Sequence, residues 1–235
     1  MKHPPVLRPL LLLLPVLAAL AADPARALGP AEVFAQVSPS VWRVQTLDRD
    51  GLLLGQGSGV VIAPQQLVTN CHVLAKARRV QVRHEGQAEA LPARLVLWDP
   101  PRDLCQLSVD GLTAPAVQLQ PTPQVAVGQP AYAIGHPKGL DLTMSAGLVS
   151  SLRRNDAAQL VLIQTSAAIS GGSSGGGLFS DQGALLGLTT IASVTADAQN
   201  LNFAIPADWI ADLPRRHAAG QAAQAAARAG SAASK

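Results

Sequence analysis

The chain has 235 residues, 48% hydrophobic, 14% charged and 3% aromatic, which is enough for one or two domains with a self-sustaining core. A net charge of +3, with no block of five or more like charges, gives no basis for a nucleic-acid groove. Two cysteines exclude a disulfide scaffold and an all-cysteine zinc site.

The first segment, residues 1–27, reads as a secretory signal peptide. Lys2, His3 and Arg8 form a basic start, Leu10–Ala22 is apolar apart from Pro15, and Ala25-Arg26-Ala27 fits a small-residue cleavage site. Cleavage after Ala21 or Ala22 is the alternative. The apolar stretch is shorter than the roughly 20 residues of a spanning helix, so no stable membrane anchor is expected after cleavage. Without residues 1–27, 15 basic residues face 14 acidic ones, a net charge of +1. Export also places the cysteines in an oxidising compartment.

From Leu28 onward, glycine and proline punctuate short apolar runs. Pro30–Val37 reads as a helix. Strands are predicted at Ser58–Ile62, Leu67–Thr69, Val80–Arg83, Ala93–Trp98 and Leu104–Val109. Pro115, Pro121, Pro123 and Pro130 then crowd a connector that cannot be a central strand. A second set follows at Ala131–Ile134, Thr143–Leu152, Leu160–Thr165, Leu178–Ser180, Leu185–Ile191 and Asn202–Ile205. Two strand-rich halves joined by a Pro-rich connector predict an all-β protein of two packed barrels. A short helix is predicted from Ala207. The tail, 213–235, is rich in Ala, Gly, Gln, Arg and Ser with no apolar face, and reads as frayed helix or disorder.

The most chemical stretch is Ile169-Ser170-Gly171-Gly172-Ser173-Ser174-Gly175-Gly176-Gly177-Leu178. It lies between two predicted strands, where a flexible linker is out of place, and it lacks the lysine and following helix of a phosphate loop. Gly172-Ser173-Ser174-Gly175-Gly176 fits the nucleophile pattern of α/β-hydrolases. Three glycines and a strand follow, however, and the downstream His217 lies in the tail. A serine in a tight turn needs a base, and the base needs an acid. His72 ends a predicted strand, His84 sits in a charged strand, His136 in a Gly-His-Pro turn. Asp103 opens an apolar strand, an awkward place for a carboxylate without a partner. Asp99, before Pro100-Pro101, reads as a turn residue.

Gly59-Val60-Val61-Ile62, Thr69-Asn70-Cys71-His72-Val73, Asp103-Leu104 and Gly172-Ser173-Ser174-Gly175-Gly176, in that order, resemble trypsin-like serine proteases of the chymotrypsin clan. The bacterial HtrA/Deg branch is the nearest match. Ser38-Pro39-Ser40-Val41, Ala133-Ile134-Gly135-His136-Pro137, Gly147-Leu148-Val149-Ser150, Ile163-Gln164-Thr165 and Asn202-Phe203-Ala204-Ile205-Pro206 extend the resemblance over roughly residues 31–212. It implies a protease domain over 28–212, built from two six-stranded barrels at about 38–115 and 125–207. It also implies a serine endopeptidase with no metal or cofactor. Such an enzyme would act in the periplasm or outside the cell on unfolded or exposed protein segments.

By the same resemblance Ser174 is the nucleophile, His72 the general base, and Asp103 the carboxylate that holds it. The N–H groups of Gly172 and Ser174 form the oxyanion hole, and Ser173 is a loop residue. Ser173 stands where the family usually has Asn, and Ser170-Gly171 replaces an Asn-Pro-like pair, so the loop is expected to be more flexible and its oxyanion hole not preformed. No PDZ module is expected after Pro206. Ala168, six residues before Ser174, would floor the substrate pocket and favour a small or aliphatic side chain. Strand alternation from Asp103 places Cys105 near Cys71, so a Cys71–Cys105 disulfide is expected, with two buried thiols as the alternative. The other reading of function is a trypsin-fold binding or chaperone-like protein whose catalytic groups are silent.

Overall fold

The computed structural model describes residues 27–190 and 201–233. The proposed signal peptide lies outside these residues except for Ala27. Helix α1 (Pro30–Val37) starts with Pro30 at its first position, and Glu32 reaches back to the Gly29 N–H at 2.7 Å. Val33 and Val37, one turn apart, are its buried face.

Barrel one contains β1 (Val41–Leu47), β2 (Leu53–Ala63), β3 (Gln66–Thr69), β4 (Arg79–Arg83), β5 (Leu91–Asp99) and β6 (Leu104–Ser108). A one-turn helix, α2 (Cys71–Leu74), follows β3. All neighbours are antiparallel, and the sheet closes in the order β1-β2-β3-β6-β5-β4. Barrel two contains β7 (Pro130–Gly135), β8 (Thr143–Arg154), β9 (Leu160–Thr165), β10 (Gly177–Phe179), β11 (Leu185–Thr190) and β12 (Asn202–Pro206), closing as β10-β11-β12-β9-β8-β7. Closure leaves neither sheet with an open edge.

Strand alternation fills each barrel. Trp42, Val44, Val61, Leu67, Val82 and Leu107 pack inside the first; Ala131, Val149, Ile163, Leu178, Leu186 and Ala204 pack inside the second. A third cluster, including Val41, Val60, Leu104, Ile134, Phe179 and Leu188, joins the two barrels to α1 and the C-terminal helix. β11 is buried along its length because Leu186 faces the barrel interior while Leu185 and Leu188 face this shared core.

The two predicted barrels are present. β1 was not predicted: its alternating residues Trp42, Val44 and Thr46 are buried, but Arg43 and Gln45 between them mask the run in a search for apolar stretches. The C-terminal expectation changes more. Residues predicted as tail continue the helix, and α3 (Asp208–Ala233) has 26 residues. Alanine propensity carries its distal part, while Ile210 and Leu213 bury its first turns. Asp99, read as a turn residue, is 5% exposed and pairs with Arg216 at 2.9 Å, tying α3 to β5. His217 packs edge-on against Trp98 with centroids 4.1 Å apart. Among the described residues no helix is long and apolar enough to cross a membrane.

Candidate active site

His72 lies on α2, not at a strand end. The chain leaves β3 at Thr69, and the Cys71 N–H and Asn70 Nδ2 both donate to the Asp103 carbonyl, at 3.2 and 3.0 Å. The Cys71–Cys105 disulfide forms beside them and fastens α2 to β6. Strand alternation from Asp103 is not what brings the cysteines together, because β6 begins only at Leu104. Asp103 precedes β6 and adopts the left-handed conformation (φ 54°, ψ 36°) after the turn Pro100–Arg102. Aspartate tolerates this region better than most side chains. The cysteines meet because Thr69 pairs with Cys105 in the β3–β6 register, placing the residue two beyond Thr69 against β6.

That backbone twist aims the Asp103 carboxylate at His72. Oδ1 accepts the His72 backbone N–H at 2.8 Å, and Oδ2 lies 2.7 Å from Nδ1. The carboxylate therefore fixes both the ring and the peptide that carries it. The Thr190 hydroxyl also donates to Oδ2 at 3.3 Å. Sequence reasoning passed over Thr190, because a threonine at the end of an apolar strand carries no signal of its own.

Ser174 reaches the cleft from barrel two. The Ser173 N–H donates to the Ser170 carbonyl at 2.9 Å and Gly172 has φ +93°, the geometry of a type II turn. A Cβ at Gly172 would lie 2.6 Å from the His136 carbonyl oxygen, and one at Gly175 would lie 2.2 Å from that of Ser58, so glycine is required at both. The loop is held rather than slack. Ser58 N–H donates to the Ser174 carbonyl at 2.8 Å, Thr189 Oγ1 to that of Ser173 at 2.6 Å, and Lys138 N–H to that of Gly171 at 2.6 Å. Among the described residues the Gly172 and Ser174 N–H groups donate to no protein acceptor. Ser174 Oγ is buried and likewise has no partner.

His72, Gly172 and Ser174 line one cleft between the barrels, of about 330 Å³. Ala168 lines a second hollow of about 140 Å³, shared with Ala133, Thr143, Ser145, Ser170 and Ser173, the residue next to Ser174. The Ala168 N–H donates to Ser145 Oγ at 2.8 Å, which sets one wall of the hollow. The other described histidines, His84, His136 and His217, do not line the cleft. His84 packs on Trp42, and its Nε2 lies 3.0 Å from the Ser38 carbonyl. His136 is 1% exposed, and burial, followed by Arg43 and His84, pulls its imidazole from the usual 6.5 to about 4.

Residues 57–188 match the family described as the trypsin-like peptidase domain. A probable periplasmic serine endoprotease, DegP-like, of Pseudomonas putida is 37% identical over 187 residues, covering 77% of this chain and 39% of that protein. The chloroplastic protease Do-like 1 of Arabidopsis thaliana is 36% identical over 181 residues, covering 72% and 40%. The chain thus spans about two fifths of the length of these curated relatives. Among solved structures, the HtrA-type protease AlgW with a tripeptide is 32% identical, with TM-score 0.68, over 76% of this chain and 60% of that one. The serine endoprotease from Yersinia pestis is 26% identical, with TM-score 0.68, over 77% and 64%.

Proposed function

Because the chain belongs to the trypsin-like peptidase family, we propose that it is an exported serine endopeptidase that cleaves unfolded or exposed segments of other proteins. The observation that carries the reading is the double grip of one Asp103 carboxylate on His72, in the cleft that also holds Ser174. Ser174 Oγ attacks the scissile carbonyl as His72 Nε2 takes its proton. Asp103 keeps the other ring nitrogen protonated and stabilises the imidazolium. The uncommitted N–H groups of Gly172 and Ser174 receive the oxyanion. His72 then protonates the leaving amine, and water hydrolyses the acyl-enzyme by the reverse path. Among the described residues Ser174 Oγ has no hydrogen-bond partner, so the bond that passes its proton to His72 forms as substrate fills the cleft.

Ala168 and the hollow of about 140 Å³ beside it suit a small or aliphatic side chain before the cut. The sequence of residues 1–27, together with relatives named periplasmic, supports action in the periplasm or outside the cell. The unpartnered Ser174 hydroxyl also favours a second reading, a silent trypsin-fold binding or chaperone-like protein. A fluorophosphonate separates the two by intact mass. One adduct on the wild type, absent from Ser174→Ala and strongly reduced in His72→Ala, is expected of the peptidase. Folded wild-type protein that takes no adduct would establish the silent reading.

A further inference from the structure

Away from the catalytic cleft, β1 and β4 set two arginines against each other. Arg43 pairs with Arg83 in the antiparallel register, and because the neighbouring Val44 and Val82 point into barrel one, both arginines stand on its outer face. Opposed residues on one face have Cβ atoms only about 5 Å apart, and like charges there repel. The next outward pair, Gln45 and Gln81, is reconciled by a hydrogen bond of 2.9 Å between the two amides. Two guanidiniums have no acceptor to offer each other. Arg43 donates to the Leu140 carbonyl at 3.0 Å and lies 3.9 Å from Asp141 Oδ1, but the Asp141 side chain is 96% exposed. Arg83 donates from Nε to the Gln87 carbonyl at 3.3 Å, and among the described residues no carboxylate pairs with it.

The pair opens onto a cavity of about 400 Å³ that also touches His84, Glu85 and His136, and so reaches from barrel one to the end of β7 in barrel two. His136 is almost wholly buried, and its Nδ1 has no hydrogen-bond partner among the described residues. An orphaned buried nitrogen beside two opposed cations calls for an acceptor that carries negative charge. The acidic residues of the cavity do not supply it. Asp141 is turned to solvent, and Glu85 Oε1 accepts the Leu142 N–H. We propose that this cavity binds a phosphate group, gripped by Arg43 and Arg83 with His136 behind them.

Phosphate suits the donors better than a carboxylate does. Three donor-bearing side chains come from three elements, β1, β4 and the residue after β7, and a phosphate group offers three terminal oxygens to a carboxylate's two. His84 serves as wall, since its ring nitrogens each lie 3.0 Å from a carbonyl oxygen, of Ser38 and of Glu85. The cavity is larger than one phosphate ion, which leaves room for the substituent of a phosphomonoester. The field in the cavity has the sign that an anion needs. After burial, the charges that hold the His136 imidazole at about 4 are those of Arg43 and His84, against which Glu85 Oε1 stands 3.9 Å from Nε2.

The test is calorimetric titration of wild-type and Arg83→Gln protein with inorganic phosphate, glycerol 3-phosphate and acetate, in chloride of equal ionic strength. Losing one charge-assisted donor weakens binding by about tenfold or more, so the Kd for phosphate is expected to rise by that factor in Arg83→Gln. The same variant should be no less stable than wild type without phosphate, because the opposed charge is gone. Tighter binding of glycerol 3-phosphate than of inorganic phosphate supports the site with an ester as its occupant; the reverse order supports it with the free ion. An anion beside His136 also favours its charged form, so phosphate should raise the pH at which the His136 ring resonances titrate and leave those of His72 unmoved. No binding by wild type, or equal affinity in Arg83→Gln, overturns the proposal. Acetate binding as tightly as phosphate overturns it in favour of a carboxylate site. A response at His72 with none at His136 overturns it by placing the anion in the catalytic cleft.

Discussion

The Ser58 hydroxyl donates to the Gly172 carbonyl at 2.9 Å while accepting the His136 backbone N–H at 2.9 Å. A side chain of barrel one thus braces the turn of barrel two that carries Ser174. The bond joins residues 114 apart in sequence and fastens the Gly172 carbonyl, and with it the turn, to barrel one. The flexibility expected of a Ser-Gly pair is countered by this bracing.

Gly172→Ala tests the turn. Its Cβ would lie 2.6 Å from the His136 carbonyl oxygen at a φ of +93°, so the turn must shift and its N–H must leave its present direction. Loss of one oxyanion donor lowers turnover by about 10²–10³-fold. Ester hydrolysis should fall by that order while circular dichroism still reports a folded protein. Activity within a few-fold of wild type would place the oxyanion elsewhere.

The disulfide should contribute measurably to stability. It closes a loop with a sequence separation of 34, which in the chain-entropy account stabilises by about 3–4 kcal/mol. Denaturant titration of the Cys71→Ser, Cys105→Ser double variant should show a loss of that size. Since the bond also fastens α2, the variant should label more slowly with fluorophosphonate. Equal stability would mean that the reduced chain holds α2 unaided.

His136 makes stability depend on pH. Its value of about 4 in the folded protein lies below the ordinary 6.5, so the unfolded chain binds the extra proton first. The contribution is whole above pH 6.5 and is lost as pH falls toward 4, by up to about 3 kcal/mol. Arg43 and His84 face the ring and oppose its charge, while Glu85 Oε1, 3.9 Å from Nε2, partly offsets them. His136→Asn should flatten the stability profile between pH 6.5 and 4 in denaturant titrations. A slope as steep as that of the wild type would assign the acid sensitivity to other groups.

Arg216 ties α3 to barrel one through buried Asp99. Arg216→Ala leaves that carboxylate with Arg102, 3.8 Å away, so a loss of about 1–2 kcal/mol is expected rather than that of a stranded charge. Hydrogen exchange should quicken across the first turns of α3 before it does in either barrel. Unaltered exchange there would show that Ile210 and Leu213 hold the helix without the ion pair.

Much of this was legible in the chain itself. The short apolar runs and the Pro-rich connector carry two barrels, because alternation and the missing proline N–H are local properties. The order of His72, Asp103 and Ser174, with glycines around the serine, carries the candidate chemistry for the same reason: residue type and order survive in one dimension. β1 was hidden because polar residues alternate with its buried ones.

What the sequence could not hold are relations between distant backbones. The left-handed Asp103 that aims a carboxylate at His72, Thr190 behind it, Ser58 bracing Gly172 and the pairing that sets Arg43 against Arg83 all depend on register and on closure of the two barrels. The helical course of α3 is of the same kind. Its alanines allow a helix, but its first turns are fixed by Asp99 and Trp98, which lie more than a hundred residues away along the chain. Local preference is written residue by residue, whereas the direction of a side chain is decided only when strands pair and the barrels close against each other.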